Sequence, residues 1–195
     1  MKPPDDLSQA PPSLPAEPTS AEMLEATRVL WQIFDLLNHW IKNSDTKAAA
    51  VLSANAILAN AAVSAFGHVS GFEEAFLVKH PVVLALDLLA LALGLVSVGF
   101  SLSCIAPKMV SGGTEADDSL IFFGHIARRA SARDYEAEVH RTLTNEEKAM
   151  NQISDQVWIN SRIVTAKLRA VLWAIRLFAA TLLVSLVSAL AAKLV

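Results

Sequence analysis

The stretch "PVVLALDLLALALGLVSVGFSLSCIA", residues 81–106, decides the fold. Its one charged side chain is Asp87. Bilayer hydrocarbon is about 30 Å thick and a helix rises about 1.5 Å per residue, so a run of this length crosses it with some tilt. Two further runs stand beside it. "VLWAIRLFAATLLVSLVSALAA", residues 171–192, carries only Arg176, and "AAAVLSANAILANAAVSAFG", residues 48–67, is uncharged but includes Ser53, Asn55, Asn60 and Ser64. Lipid-facing Asn is costly, so those side chains should face protein. The reading is an all-α membrane protein with three spans and a cytosolic helical segment between the second and third.

Composition agrees with that class. The 195 residues are 53% hydrophobic, and the mean hydropathy is +0.42. A formal net charge of −3 argues against a nucleic-acid binder, which needs a strong basic field. Cys104 is the one cysteine and lies inside a span, so no internal disulfide can form and no metal site is implied. Residues 1–20 hold repeated prolines and two aspartates with no apolar centre, which reads as a disordered tail and not a signal peptide.

Lys and Arg beside the spans set the orientation. Lys42, Lys47, Lys108, Lys167 and Arg169 flank one side, and Lys79 and Lys193 the other. The first side is therefore expected to be cytosolic, with the N-terminus inside and the C-terminus outside. The expected organisation is an amphipathic cytosolic helix at 21–47, a two-span hairpin at 48–106, a cytosolic helical sensing segment at 107–170, and a third span at 171–195. Within the first helix Leu30, Ile33, Phe34, Leu37, Trp40 and Ile41 recur at helical spacing. That face suits packing on the other cytosolic helix, or, with Trp31 and Trp40, an interfacial position on lipid.

In the sensing segment Pro107 ends the second span, and residues 111–118 form a Gly-containing polar loop. A short helix is expected over 120–129. Thr144 and Glu147 form a Thr-x-x-Glu capping signature at the head of a helix free of Pro and Gly to the chain end. Such a helix, about 75 Å long, couples cytosol to membrane mechanically. Along it Met150, Val157, Val164 and Val171 recur every seven residues, interleaved with Ile153, Asn160, Lys167 and Ala174. This is a coiled-coil-like seam, open to self-association or to packing on the chain's own first helix. Asn160 reads as a register-setting polar residue in it.

Recognisable catalytic and metal motifs are missing: no phosphate loop, no His-Glu-x-x-His, no Cys-x-x-Cys, and five scattered histidines. What remains is "DTKAA" opening the first span, a proline closing the second, "SLIFFGHIA" in the cytosolic segment and "QISDQVWINSRIVTAKLRAV" before the last span. This order resembles the membrane effectors of Pycsar, the pyrimidine cyclase system for antiphage resistance. Asp45, Lys47 and Ala48 match the family's Asp-x-Lys-Ala entry. Phe122, Phe123, Gly124, Ile126 and Ala127 match its aromatic patch, and Asn160 and Lys167 its pre-span helix. His125 stands where the family more often carries an acidic residue.

The resemblance implies a non-enzymatic defence effector of the bacterial inner membrane. It would sense cyclic CMP or cyclic UMP made by a partner nucleotide cyclase and impair membrane integrity, giving abortive infection. No cofactor and no metal are implied, and a homo-oligomer in the lipid bilayer is expected. A cyclic pyrimidine nucleotide needs an aromatic to stack on its base, a cation for its phosphodiester, and hydrogen-bonding groups. Phe122, Phe123, Arg128, Arg129 and Asn160 are the candidates, although paired Phe beside Ile also suits a core, and "RRASARDYE" a solvated face. Asp45, Lys47, Lys167 and Asp87 are the candidate structural or gating residues. Asp45 and Lys167 are expected to meet at the inner interface, whereas Asp87 and Arg176 lie at different depths. Asp87 is expected to face protein or water in an oligomer, and Arg176 to snorkel to the inner interface. The competing reading is a non-catalytic membrane scaffold that binds a partner protein through its cytosolic helices.

Overall fold

The computed structural model describes residues 19–68, 80–107 and 119–194. The proline-rich tail, Lys79, Lys108 and the polar loop at 111–118 lie outside these residues. Five helices account for the described chain, with no strand among them: α1 (Ser20–His68), α2 (Pro81–Ile105), α3 (Phe123–Ile126), α4 (Ala132–Leu143) and α5 (Glu146–Leu194).

Helices α1 and α5 are each 49 residues long, about 74 Å by helical rise. The expected division between a cytosolic helix at 21–47 and a span from 48 falls inside α1 without interruption. No Pro or Gly stands there to stop it. A helix continuous with a span projects from the bilayer, so its N-terminal half cannot lie flat on lipid. It packs on α5, with Phe34, Leu37 and Ile41 turned partly inward. Three helices, α1, α2 and α5, are long and apolar enough to cross a membrane.

The ends are set by local chemistry. Helix α1 begins with a reciprocal capping box: the Thr19 backbone N–H donates to Glu22 Oε2 at 2.7 Å, and the Glu22 N–H donates to Thr19 Oγ1 at 3.3 Å. The Thr19 backbone N–H and hydroxyl, both donating to Glu22 Oε2, hold its carboxyl below the usual carboxylate range. The second Thr-x-x-Glu, at Thr144, is not used in that way. Asn145 caps α5, its Oδ1 accepting from the Lys148 N–H at 3.0 Å, while Thr144 closes α4 by donating to the His140 carbonyl at 2.7 Å. Thr144 ends one helix and Asn145 starts the next, so adjacent polar residues divide the work. Pro81 occupies the first turn of α2, where its missing N–H costs nothing.

Inter-helix partners fix the directions. Asn38 meets Asn160 and Asp45 meets Lys167, so α1 and α5 run parallel. Cys104 meets Lys167, Ser97 meets Ala174 and Asp87 meets Ser188, so α2 runs antiparallel to both. The apolar halves of α1 and α5 thus form a three-helix bundle with α2, and their N-terminal halves a parallel α1–α5 pair.

The bundle interior is made of small residues. Ala90, Ser97, Ser101 and Cys104 of α2 are buried, as are Ala170, Ala174, Thr181 and Ser188 of α5 and Ala48 of α1. Lipid tails are as apolar as leucine, so spans gain little by hiding Leu from them. Close approach of small side chains and interhelical hydrogen bonds hold them instead. The leucines accordingly face outward, with Leu91, Leu95 and Leu183 each about 60% exposed. The buried line of α5 is the polar one: Ile153, Asn160, Lys167, Ala174, Thr181 and Ser188, seven residues apart, are all buried. Helix α2 answers with Val83, Ala90, Ser97 and Cys104 at the same period. Matched seven-residue periods are the mark of left-handed coiled-coil packing.

Candidate functional site

The aromatic patch forms a small cap on the N-terminal part of α5. Ser119 Oγ accepts from the Ile121 and Phe122 backbone N–H groups at 3.3 and 3.2 Å, which turns the chain into α3. The Ser119 N–H donates to His125 Nδ1 at 3.2 Å, so the imidazole presents an acceptor inward. His125 is buried and meets Phe122 edge-on, with ring centroids 5.1 Å apart. A Cβ added to Gly124 would stand 2.7 Å from Phe122 Cε1, so the aromatic-Gly-His sequence is one packing unit in which Gly is required by the ring beside it.

Two bonds seat this cap. The Leu120 N–H donates to Gln152 Oε1 at 3.0 Å, and the Tyr135 hydroxyl donates to the Leu120 carbonyl at 3.1 Å. Tyr135 is supplied by α4, whose start is capped by Ser131: its Oγ accepts from the Asp134 N–H at 3.2 Å. Arg128 is exposed and Arg129 half-exposed, on the turn that follows α3. Of Phe123 only the backbone lies within the described structure.

Asn160 lies elsewhere. Its Nδ2 donates to Asn38 Oδ1 at 3.1 Å, and its Oδ1 accepts from Gln156 Nε2 at 3.2 Å. This amide cluster sits in the α1–α5 seam, eight residues, or about 12 Å of rise, membrane-ward of Gln152. The candidate ligand residues therefore divide into a surface cap carrying Phe122, Arg128 and Arg129, and a seam residue already engaged by its neighbours.

The structure brings Asp45 and Lys167 together. Lys167 Nζ pairs with Asp45 Oδ1 and also donates to the Cys104 carbonyl at 2.6 Å. The Lys167 side chain is 5% exposed and that of Asp45 36%. One ammonium thus joins α1, α2 and α5 at the C-terminal end of α2. Cys104 Sγ lies 3.7 Å from the Ser44 carbonyl, closing the same junction. Lys47 is exposed.

Asp87 and Arg176 take different partners. Asp87 accepts from the Ser188 hydroxyl at 2.6 Å, so it faces protein within its own chain. Arg176 is exposed, with its guanidinium 5.4 Å from the Trp173 ring centroid. Sequence reasoning missed Gln152, Tyr135, Asn38 and Ser188 as partners, since single polar residues on helices give no signal of what they will meet.

The family model of the Pycsar effector protein domain matches residues 29–193. The chain belongs to the Pycsar effector family. The match takes in both long helices, the cap and the α1–α2–α5 junction, so the Pycsar effector domain here is the whole three-span body. Among curated proteins, the Pycsar effector protein PtPycTM of Propioniciclava tarda is 22% identical over 167 residues, covering 85% of this chain and 78% of that protein. No solved structure matches this Pycsar effector. Family membership makes the protein a membrane-associated antiviral defence effector working with a cyclase system.

Proposed function

We propose that this Pycsar effector responds to a cyclic pyrimidine nucleotide, cyclic CMP or cyclic UMP, made by a partner cyclase, and then impairs the inner membrane in which it sits, ending infection with the host. The observation that carries the reading is the continuity of α1 and α5 from the cytosolic layer into the membrane. Ligand-induced movement of the cap is passed through Gln152 to α5 and reaches the Asp45–Lys167–Cys104 junction without crossing a loop. In this reading Phe122 and Arg128, with Arg129, meet base and phosphodiester. Asn160 carries the change into the α1–α5 seam.

The protein acts without catalysis, its N-terminus cytosolic and its C-terminus periplasmic. Val29, Ile33, Leu36 and Trp40 form an exposed apolar stripe on the cytosolic half of α1, and a second copy beside it in the bilayer would cover that stripe in a homo-oligomer. Dye entry into cells expressing the full chain, supplied with cyclic CMP, cyclic UMP or cyclic AMP, tests the reading. Entry with one of the pyrimidine nucleotides and not with cyclic AMP is expected. Absence of entry with both would overturn it and favour a scaffold.

A further inference from the structure

The polar line buried along α5 does more than its neighbours need for packing. From Lys167 to Ser188 it rises about 31 Å, the thickness of the hydrocarbon core at about 30 Å. A carboxylate stands at each end: Asp45 on Lys167 at the inner face and Asp87 on Ser188 toward the other. Between them lies a succession of small polar groups. Asn55 Nδ2 donates to Ser97 Oγ at 3.1 Å, and Ser97 Oγ donates to the Ala174 carbonyl at 2.9 Å. A Cβ on Gly94 would stand 3.7 Å from Asn55 Oδ1 and 3.9 Å from Thr181 Oγ1, so these two oxygens border one spot that Gly94 leaves without a side chain.

Hydrogen-bonding glue would use up its own donors and acceptors. Ser101, fully buried between Ser97 and Cys104 on α2, has a hydroxyl with no hydrogen-bond partner among the described residues. Glue also has no need of a carboxylate at Asp87, where a neutral group would bond Ser188 at lower cost. Ionisable side chains that face a bundle interior, as Asp87 and Lys167 do here, mark ion and proton pathways, and a fixed cation in such a path repels what would pass. Lys167 is that cation.

We infer that the interior of the α1–α2–α5 bundle is a proton path closed by the Lys167 ammonium, and that this effector impairs the membrane first by letting protons through. The inference rests on the membrane-impairing reading above and names its route. A proton enters from water on one side, is handed between the hydroxyl-bordered waters that the rungs admit once Lys167 withdraws, and leaves to water on the other. No bond is made or broken in the net step. Thr181, Ser97 and Ser101 are positioning residues for that water.

The test uses the full chain in liposomes loaded with a pH-sensitive dye and carboxyfluorescein, under a potassium diffusion potential and without nucleotide. Lys167→Met is expected to raise proton flux at least tenfold over the unaltered chain while carboxyfluorescein stays inside. Adding Thr181→Val and Ser97→Ala to it is expected to remove most of that gain, whereas adding the lipid-facing Leu183→Ala is expected to leave it. Should Lys167→Met fail to insert, Lys167→Gln, which likewise removes the cation, takes its place under the same criteria. Unraised flux, loss of both dyes together, or flux indifferent to Thr181 and Ser97 would each overturn the inference. A leak in the Lys167 variant beside an unaltered chain that ignores every cyclic nucleotide would remove the nucleotide reading and leave the path standing.

Discussion

The Lys167 ammonium of α5 meets the Asp45 carboxylate of α1 and the Cys104 carbonyl of α2 at once. The pair is unequal: Lys167 is enclosed, whereas Asp45 keeps about a third of its surface in water. Removing one partner of a fully buried pair costs about 3–5 kcal/mol because the survivor stays desolvated. Asp45→Ala strands the enclosed cation, so its cost is expected toward the lower end of that range, about 3 kcal/mol, given the partial hydration of the native carboxylate. Lys167→Met leaves only Asp45, which can hydrate, and is expected to cost clearly less. Thermal unfolding in detergent ranks the two.

The same junction predicts partial rescue by exchange. Asp45→Lys or Lys167→Asp alone is expected to abolish nucleotide-dependent dye entry. The double exchange restores the attraction but points a carboxylate at the Cys104 carbonyl, an acceptor facing an acceptor. Recovery is therefore expected to be incomplete, and no recovery with both single variants defective would count against the pairing.

Gly124 offers a steric test of the cap. Its replacement by Ala puts a methyl 2.7 Å from Phe122 Cε1, so the ring must leave its edge contact with His125. Gly124→Ala is expected to raise the nucleotide concentration for half-maximal dye entry at least tenfold. In the Phe122→Ala background the same change meets no ring, and its effect on unfolding temperature is expected to vanish.

The spans were legible because unbroken apolar runs of bilayer length admit few other readings. The seam was half legible. A seven-residue period marks the face of α5 that is buried, but a period cannot say which helix covers it; Asn38 and Asp45 of α1 and Ser97 of α2 do. The matching line on α2 was hidden for a different reason. A helix that is apolar all round has no contrasting face, so Val83, Ala90, Ser97 and Cys104 are distinguished only by being small or buried. The aromatic cap was legible as a motif, not as a packing unit, since Gln152 and Tyr135 approach from 32 and 15 residues away from Leu120.

Asp87 separates charge from hydrogen bonding. Asp87→Asn keeps an acceptor for the Ser188 hydroxyl, while Asp87→Leu removes it and costs about 1 kcal/mol. Both are expected to insert normally, as judged by membrane fractionation. Both are expected to slow nucleotide-dependent depolarisation of cells. Undiminished depolarisation in Asp87→Leu would make the carboxylate a residue of the outer interface with no part in permeability.

Asn160 decides between contact and transmission, because its amide is shared between Gln156 and Asn38 in a seam where a hydrophobic residue would pack better. A polar seam residue of this kind costs stability and keeps two helices in register. Asn160→Leu is therefore expected to raise the unfolding temperature by a few degrees, since about 1 kcal/mol moves the midpoint of a domain this size by about 2–4 °C. If Asn160 transmits the signal, nucleotide binding measured by calorimetry persists in Asn160→Leu while dye entry falls. If it touches the ligand, binding falls as well, and Arg128→Ala and Asn160→Leu weaken it together. The first outcome is expected, because Arg128 stands exposed on the cap while both polar ends of the Asn160 amide are already engaged inside the α1–α5 seam.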